Sequence, residues 1–176
     1  MRTVTYGAAC SLDGFITGPD ENMDWLHNSD DTAEILRRYW KDVDTILMGR
    51  KTYDFSLTVG GAPEMSGVTA TYVFSKTLRS LETPGMELVS TDPVEFVRDL
   101  KGRPGKNICL LGGSELAQPL IAAGVVDEIG LNVHPILLGS GTPLFRDPGQ
   151  RIRLRLTENR TIDGGCVFMN YRMQPG

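Results

Sequence analysis

Residues 107–124, NICLLGGSELAQPLIAAG, decide how this chain folds. The segment begins with an apolar run that predicts a strand over 107–111, and it continues with a pattern that predicts a helix over 114–123. Gly124 ends the helix, and Pro119 predicts a kink or a later start, because proline is poorly tolerated beyond the first helical turn. A strand that leads through glycines into a helix is typical of the βα units that build parallel sheets.

The same alternation of strands and helices runs through the first two thirds of the chain and predicts a mainly parallel sheet. A helix is predicted over 31–42, where apolar residues recur at helical spacing and Asp31 with Glu34 forms a capping box. Another helix is predicted over 92–102, because an acidic N-cap precedes a first-turn proline there. The other strands predicted in this part are 3–10, 44–48, 70–75 and 86–90.

The final third changes to a pattern of period two, with apolar residues alternating around 129–133, 152–156 and 167–173. These stretches predict half-buried strands without helices between them. We therefore predict an α/β fold in one domain over 1–176. Its doubly wound, mainly parallel sheet of about eight strands has flanking helices and a C-terminal antiparallel hairpin.

The composition indicates which classes of molecule this protein binds. A net charge of −4 gives no general attraction to the phosphates of nucleic acid. The sequence has neither the apolar run of a signal peptide nor one long enough to span a bilayer, so we expect a cytoplasmic protein without a membrane partner. Cys10, Cys109 and Cys166 lie singly in apolar stretches, which predicts buried free thiols and no metal site. The expected partner is a small-molecule substrate.

Three segments that follow predicted strands carry groups suited to phosphate. Residues 112–114 offer backbone N–H groups at a helix start, while 48–52 and 74–77 combine cations with hydroxyls. Each has a plain alternative: a tight glycine turn, a solvated helix start and a commonplace polar turn. The basic residues at 50–51 are unfavourable beside the positive end of a helix dipole unless an anion is bound there. Their presence therefore favours an anion site at this helix start. Together the three predict a large, multiply phosphorylated ligand.

The order and spacing of these motifs resemble dihydrofolate reductases. The resemblance rests on Ala8-Ala9, the loop from Gly18 to Trp25, and residues 48–52, 74–76 and 111–113. SLDGFI at 11–16 and LLGSGTPLF at 137–145 are more similar to a sister branch, the reductase domain of riboflavin-biosynthesis deaminase-reductases and its stand-alone relatives. The resemblance covers residues 3 to about 173. The deaminase half with its zinc motif is absent from this sequence, so only the reduction step is expected.

The resemblance implies a cofactor, NADPH, bound across the sheet. It implies that Ala9, Ile16 and Gly18 lie near the nicotinamide. It also implies that the turn at 139–143 borders a sugar-phosphate of the substrate, unless it is a simple hairpin loop, and that a homodimer pairs through the late strands. The residues implied for the phosphates are Arg50, Thr52, Ser75 and Lys76 on the adenosine side, and Gly112, Gly113, Ser114 and Glu115 around the pyrophosphate. Gly49 and Lys51 are further residues expected to bind the cofactor.

Three carboxylates are candidates for catalysis. Counted from Trp25, Asp30 matches the carboxylate that helps to protonate the pterin in dihydrofolate reductases, although a helix-cap role is the alternative. Asp13 and Asp24 lie on segments that could face the substrate as acid or hydrogen-bond acceptor, and the alternative for Asp13 is an Asp-Gly turn. His134 is predicted to be a structural or surface group. Solvent could supply the proton instead of any side chain.

The resemblance implies direct hydride transfer from NADPH to a pteridine-like ring or to the carbonyl form of a ribosylaminopyrimidine. Two alternatives stay open: a nucleotide-binding or sensory module without turnover, and a flavodoxin-like domain with another phosphate ligand. The first strand is not followed by the G-x-G-x-x-G motif, which counts against an ordinary dehydrogenase.

Overall fold

The structure, a computed structural model, describes residues 1–58 and 67–174. The strands are β1 (Val4–Ser11), β2 (Phe15–Thr17), β3 (Val43–Gly49), β4 (Ala70–Phe74), β5 (Met86–Val89), β6 (Asn107–Leu111), β7 (Glu128–His134), β8 (Thr142–Pro143), β9 (Leu154–Thr161) and β10 (Val167–Met173). The helices are α1 (Asp30–Trp40), α2 (Arg50–Thr58), α3 (Pro93–Gly102) and α4 (Ser114–Ala122), with a short 3₁₀ turn at Asp163–Gly165.

Eight of the strands form one sheet in the order β5-β4-β3-β6-β1-β7-β10-β9. Neighbours from β5 to β7 run parallel, whereas β10 is antiparallel to both β7 and β9. β2 and β8 form a separate antiparallel pair. This topology confirms the predicted fold class, a mainly parallel sheet with flanking helices and a C-terminal antiparallel hairpin.

The central strands are apolar on both faces because helices cover both sides of a parallel sheet. Ile46, Leu47 and Met48 are consecutive residues of β3, point to alternate faces and are all buried. The three cysteines are buried and unpaired, as predicted. Among the residues described, no helix combines the length and the apolar character needed to cross a bilayer.

Two helices begin as the sequence predicts. At α3, the Asp92 carboxylate accepts hydrogen bonds from Val94 N at 2.9 Å and Glu95 N at 3.0 Å, and the helix extends to Gly102. α4 begins directly after Gly113 and continues through Pro119. The late start that the proline suggested is therefore wrong.

The predicted start of α1 is also wrong. Its N-cap is Ser29, whose hydroxyl accepts a hydrogen bond from Thr32 N at 3.2 Å, so the helix begins at Asp30. Asp31 lies inside the first turn and accepts hydrogen bonds from Arg160 Nη2 at 3.0 Å and Asp163 N at 3.2 Å. A local capping pattern therefore predicted a carboxylate that in fact joins the helix to β9.

Two further boundaries differ from expectation. Residues 50–58 form α2, whereas the sequence indicated only a polar segment with a helix start as its alternative. β9 begins at Leu154 and extends to Thr161, well beyond the predicted 152–156. Because β9 is an edge strand exposed on both faces over most of its length, its second half lacks the alternation that reveals half-buried strands.

Candidate functional site

A cavity of about 1220 Å³ runs along the carboxyl edge of the parallel strands. In open α/β sheets this edge is where ligands bind, because the loops that leave the strands leave a crevice between them. The strand-end residues that line it are Ala9 of β1, Gly49 of β3, Phe74 of β4, Val89 of β5 and Leu111 of β6. The cavity therefore spans five strands, which suits an extended ligand.

Three helices begin at this cavity. Arg50 opens α2, Pro93 opens α3 and Ser114 opens α4, and all three residues line it. Helix N-termini carry partial positive charge and attract anions. The Asp92 carboxylate already caps α3, whereas α4 has no side-chain cap. The first turn of α2 contains no acidic residue. An anion is therefore the ligand group that this edge favours.

The turn between β6 and α4 depends on two glycines with left-handed backbone, at φ 56° for Gly112 and 77° for Gly113. A Cβ at Gly113 would lie 3.3 Å from Thr52 Oγ1, so a side chain there would crowd the cavity wall. Gly113 gives α4 no side-chain cap, and the buried hydroxyl of Ser114 has no hydrogen-bond partner within the described ranges. These open donors fit a pyrophosphate.

At the far end of the cavity, α2 meets the turn that follows β4. Arg50 Nη1 donates to Thr77 Oγ1 at 2.8 Å, and Arg50 Nε lies 3.2 Å from Asp54 Oδ2. The Ser75 hydroxyl accepts hydrogen bonds from the backbone N–H groups of Thr77 and Leu78, and these bonds hold the turn in place. Lys76 is exposed on this turn and lines the cavity. Two cations and hydroxyls in this arrangement fit a phosphomonoester.

Two ion pairs cross the cavity wall. Lys51 Nζ lies 2.8 Å from Glu21 Oε1, and Arg146 Nη2 lies 2.9 Å from Glu115 Oε1. The hydrogen bond to Glu21, together with its charge, raises the pKa of the Lys51 ammonium group. The first pair joins the loop after β2 to α2, and the second joins the start of α4 to the segment after β8.

The structure brings together the cofactor residues that the sequence predicted, with the exception of Gly18. Those that line the cavity are Ala9, Ile16, Gly49, Arg50, Lys51, Thr52, Ser75, Lys76, Gly112, Gly113, Ser114 and Glu115. Gly18 is buried beside the lining, where a Cβ on Gly141 would lie 2.9 Å from its carbonyl carbon. Gly141, Thr142 and Pro143 of the predicted substrate turn also line the cavity. The binding roles of all these residues stay predictions.

Asp13, one of the three predicted catalytic carboxylates, lies outside the cavity lining. It accepts hydrogen bonds from Ser11 Oγ at 2.6 Å, Leu138 N at 3.1 Å and Gly139 N at 2.8 Å. The bond from Ser11 and the backbone N–H groups lower the pKa of this carboxyl. Asp13 thus fastens the β1–β2 turn to the segment before β8, which agrees with the turn alternative.

The other two carboxylates are also outside the lining. Asp24 and Asp30 are exposed, and Asp30 is the first residue of α1. Their catalytic roles stay predictions without geometric support from the cavity. The sequence prediction missed Glu21 and Arg146, which line the cavity from irregular loops. A single charged residue in such a loop forms no spacing pattern that could have revealed it.

Comparisons with known proteins identify the family and the fold of the chain. The chain is 34% identical to YyaP, an uncharacterized protein of Bacillus subtilis (strain 168), over 97% of this chain and 95% of that protein. A solved structure from Shewanella sp. PV-4, attributed to riboflavin biosynthesis, superposes with a TM-score of 0.87 at 24% identity, covering 98% of this chain and 99% of its own.

A second solved structure is the Thermotoga maritima diaminohydroxyphosphoribosylaminopyrimidine deaminase/5-amino-6-(5-phosphoribosylamino)uracil reductase. It superposes with a TM-score of 0.72 at 16% identity, over 98% of this chain and 57% of that protein. These two structures share the fold of the chain. Residues 2–168 match the family model of the RibD C-terminal domain. The match covers most of the sequence, and the chain therefore belongs to the RibD C-terminal domain family.

Proposed function

We propose that this protein is a reductase that transfers a hydride from NADPH to a pteridine-like ring or to the carbonyl form of a ribosylaminopyrimidine. The observation that carries the proposal is the single cavity along five strand ends, with an uncapped helix start in its wall and two cations at its far end. A dinucleotide with an additional phosphate has its charges distributed in this way. Membership of the RibD C-terminal domain family supports a reductase.

The residues present fit such a cofactor. Residues 112–115 would hold the pyrophosphate through backbone N–H groups and the Ser114 hydroxyl, which has no partner within 1–58 and 67–174. Arg50, Ser75 and Lys76 would hold the additional phosphate that distinguishes NADPH from NADH. Ala9 and Ile16 would leave room for the nicotinamide, because both line the cavity and Ala9 has a small side chain.

When bound, the reduced nicotinamide supplies the hydride. The chain contributes position and shielding: the small residues of β1 allow close approach, and the loop after β2 excludes water from the reacting atoms. The solved Thermotoga maritima relative is named for an aminouracil substrate. By its family relationship we extend that substrate class, an aminopyrimidine, to this chain.

We propose that solvent supplies the proton. Among the residues that the structure describes, each carboxylate that lines the cavity is already held by a cation: Glu21 by Lys51, Asp54 by Arg50 and Glu115 by Arg146. A carboxylate in such a pair is poorly placed to give up a proton to a substrate. Asp13, which the sequence favoured as one candidate, is occupied by three hydrogen-bond donors.

Calorimetry and a turnover assay test the proposal together. We expect heat of binding with NADPH, weaker binding with NADH, and steady loss of NADPH absorbance when dihydrofolate or a ribosylaminopyrimidine is added. NADPH binding without turnover of either substrate would favour the nucleotide-binding module over the enzyme. Absence of NADPH binding to folded protein would overturn the cofactor assignment itself.

A further inference from the structure

Buried polar atoms without partners are concentrated at two places in this protein. Over residues 1–58 and 67–174, seven side-chain atoms are buried without a hydrogen bond. Two of them, on Thr17 and Ser114, belong to residues that line the large cavity. The other five are Trp25 Nε1, Tyr39 Oη, Asn132 Oδ1, His134 Nε2 and Asn170 Oδ1. Buried polar atoms normally have partners, so a group of five needs an explanation.

The strand residues in this group share one face of the sheet. Asn132 of β7 is in register with Ala9 of β1, and His134 is in register with Ser11. Asn170 of β10 is in register with Gly130 of β7, and its Oδ1 lies 3.0 Å from the position of a Cβ on that glycine. Gly130, Asn132 and His134 are every second residue of β7, so they point to the same face of the sheet. Asn170, in register with Gly130, points to that face as well, and the three polar side chains therefore lie near one another.

Helix α1 and the loop before it cover this face. The Trp25 ring meets the His134 ring edge-on, with centroids 5.2 Å apart. Burial and then the neighbouring Cys109 thiol raise the pKa of the Tyr39 hydroxyl, which places Tyr39 beside β6. No residue of α1 is buried as a whole, although the Tyr39 hydroxyl is. The helix therefore covers the polar strip with a side chain whose polar end is buried against the sheet.

His134 presents a hydrogen-bond donor to this strip. Its Nδ1 lies 3.4 Å from His27 N and 3.4 Å from Cys166 Sγ, both of which can donate to it. Burial, and secondly the charge of His27, lower the pKa of the His134 imidazole, which favours the neutral ring. A neutral ring that accepts at Nδ1 carries its proton on Nε2, so the unpartnered Nε2 is a donor.

We propose that Trp25, Asn132 and His134 recognise the ring of the substrate. They offer two donors, Trp25 Nε1–H and His134 Nε2–H, and one acceptor, Asn132 Oδ1. A planar heterocycle that carries a carbonyl oxygen and a ring N–H on one edge, as a uracil does, complements this set. This inference rests on the proposed function, since it assigns the recognition of its substrate.

The position of Asn132 connects this subsite to the cavity. Ala9, its neighbour in register on β1, lines the cavity at the end proposed for the nicotinamide. Adjacent parallel strands lie about 4.8 Å apart, so a ring bound at Asn132 lies next to the wall of the cavity. Trp25, Asn132 and His134 themselves do not line the cavity, so substrate binding requires the Trp25 loop to move outward.

A buried structural water is the competing explanation, because such waters satisfy otherwise unpaired polar groups. The two explanations predict opposite effects of Asn132→Leu, which replaces the amide by an apolar group of similar shape. If the amide serves a substrate, its removal leaves stability unchanged or raises it, because an unsatisfied polar atom is lost. If the amide holds a structural water, its removal lowers stability.

The experiment measures binding of diaminouracil to the NADPH-saturated protein by calorimetry, and unfolding by urea on the same samples. Dimethyl-diaminouracil, in which methyl groups replace both ring N–H groups, is the matched ligand. Trp25→Phe removes the indole donor and keeps an aromatic ring. Tyr39→Phe is the matched control variant, because it deletes another buried polar group of the same face, at the Cys109 end of the strip.

We expect Asn132→Leu and Trp25→Phe each to weaken diaminouracil binding at least tenfold, with unchanged NADPH affinity and no loss of stability for Asn132→Leu. We expect the wild-type protein to bind dimethyl-diaminouracil weakly. We expect the Tyr39→Phe variant to bind diaminouracil with the affinity of the wild-type protein. Absence of NADPH binding to the wild-type protein overturns the proposed function. NADPH binding with no diaminouracil binding, or with an affinity that both variants leave unchanged, overturns the subsite alone.

Discussion

The imidazole of His134 and the indole of Trp25 meet edge-on, with ring centroids 5.2 Å apart and an interplanar angle of 86°. Trp25 belongs to the loop between β2 and α1, whereas His134 is the last residue of β7. His27 N also approaches His134 Nδ1, at 3.4 Å. One buried histidine therefore anchors the loop that closes the nicotinamide end of the proposed site.

The buried histidine predicts a pH dependence of stability. Burial and the nearby His27 lower the pKa of His134 in the folded protein below the ordinary value of 6.5. The unfolded chain then binds more protons than the folded chain as pH falls through that value, so stability falls with it. We expect the free energy of unfolding to decrease between about pH 7 and pH 5. Urea unfolding across this range measures the slope.

The variant His134→Gln serves as the comparison for that slope. Glutamine does not titrate, so its slope between about pH 7 and pH 5 should be flatter than that of the wild-type protein. Carboxyls with lowered pKa, such as Asp13 and Asp163, act at lower pH and do not contribute here. Equal slopes for the two proteins would show that His134 does not carry the effect.

Preference for NADPH depends on the cations at the far end of the cavity. We expect Arg50→Ala and Lys76→Ala each to weaken NADPH binding about tenfold or more, since a charge-assisted hydrogen bond contributes about 1.5–3 kcal/mol. NADH binding should change little, because NADH lacks the additional phosphate. Calorimetry with both cofactors measures the ratio. An unchanged NADPH dissociation constant would contradict the assignment.

Local backbone chemistry explains which parts of the site were predictable from sequence. The Gly112-Gly113 turn and the Asp92 cap could be predicted from the sequence, because a left-handed backbone and an N-cap each require particular residue types. The strand ends on one edge follow from parallel topology once the βα alternation is recognised. These features depend on short stretches of chain, and the sequence contains them directly.

The other parts of the site depend on pairings between distant residues. Ser29 and Asp31 are both acceptable caps in sequence. Asp31 is instead engaged by Arg160 and Asp163, which are 129 and 132 residues away along the chain. Asn132 and Ala9 become neighbours only through the register of β7 with β1. A single sequence contains no signal of such a register.

The glycine turn beside Thr52 predicts a local cost for any side chain. Gly113→Ala puts a Cβ on a left-handed backbone and 3.3 Å from Thr52 Oγ1, so we expect a loss of stability of about 1 kcal/mol or more and weaker NADPH binding. Gly102→Ala is the matched control, because no atom lies within 4 Å of its Cβ position at the end of α3. Thermal unfolding and calorimetry on both variants test the difference.

Asp13→Asn distinguishes a structural carboxylate from a catalytic one. The amide oxygen can still accept a hydrogen bond. It lacks the negative charge that strengthens the hydrogen bonds donated by Ser11 Oγ, Leu138 N and Gly139 N to the Asp13 carboxylate. We expect a lower melting temperature with unchanged NADPH affinity and nearly unchanged turnover. A folded Asp13→Asn protein that binds NADPH normally but has lost turnover would instead support the catalytic role that the sequence suggested.

The family resemblance implies a homodimer, and we expect the edge strand β9 to form its interface. Leu154 and Leu156 are 40% and 46% exposed, and alternation along a strand puts both on one face. An edge strand with exposed apolar side chains favours pairing with another strand, and a second copy of the chain offers the same edge. We expect the double variant Leu154→Glu with Leu156→Glu to be monomeric by light scattering, whereas Arg155→Glu, on the opposite face, stays dimeric. A dimer that persists in the leucine variant would locate the interface elsewhere.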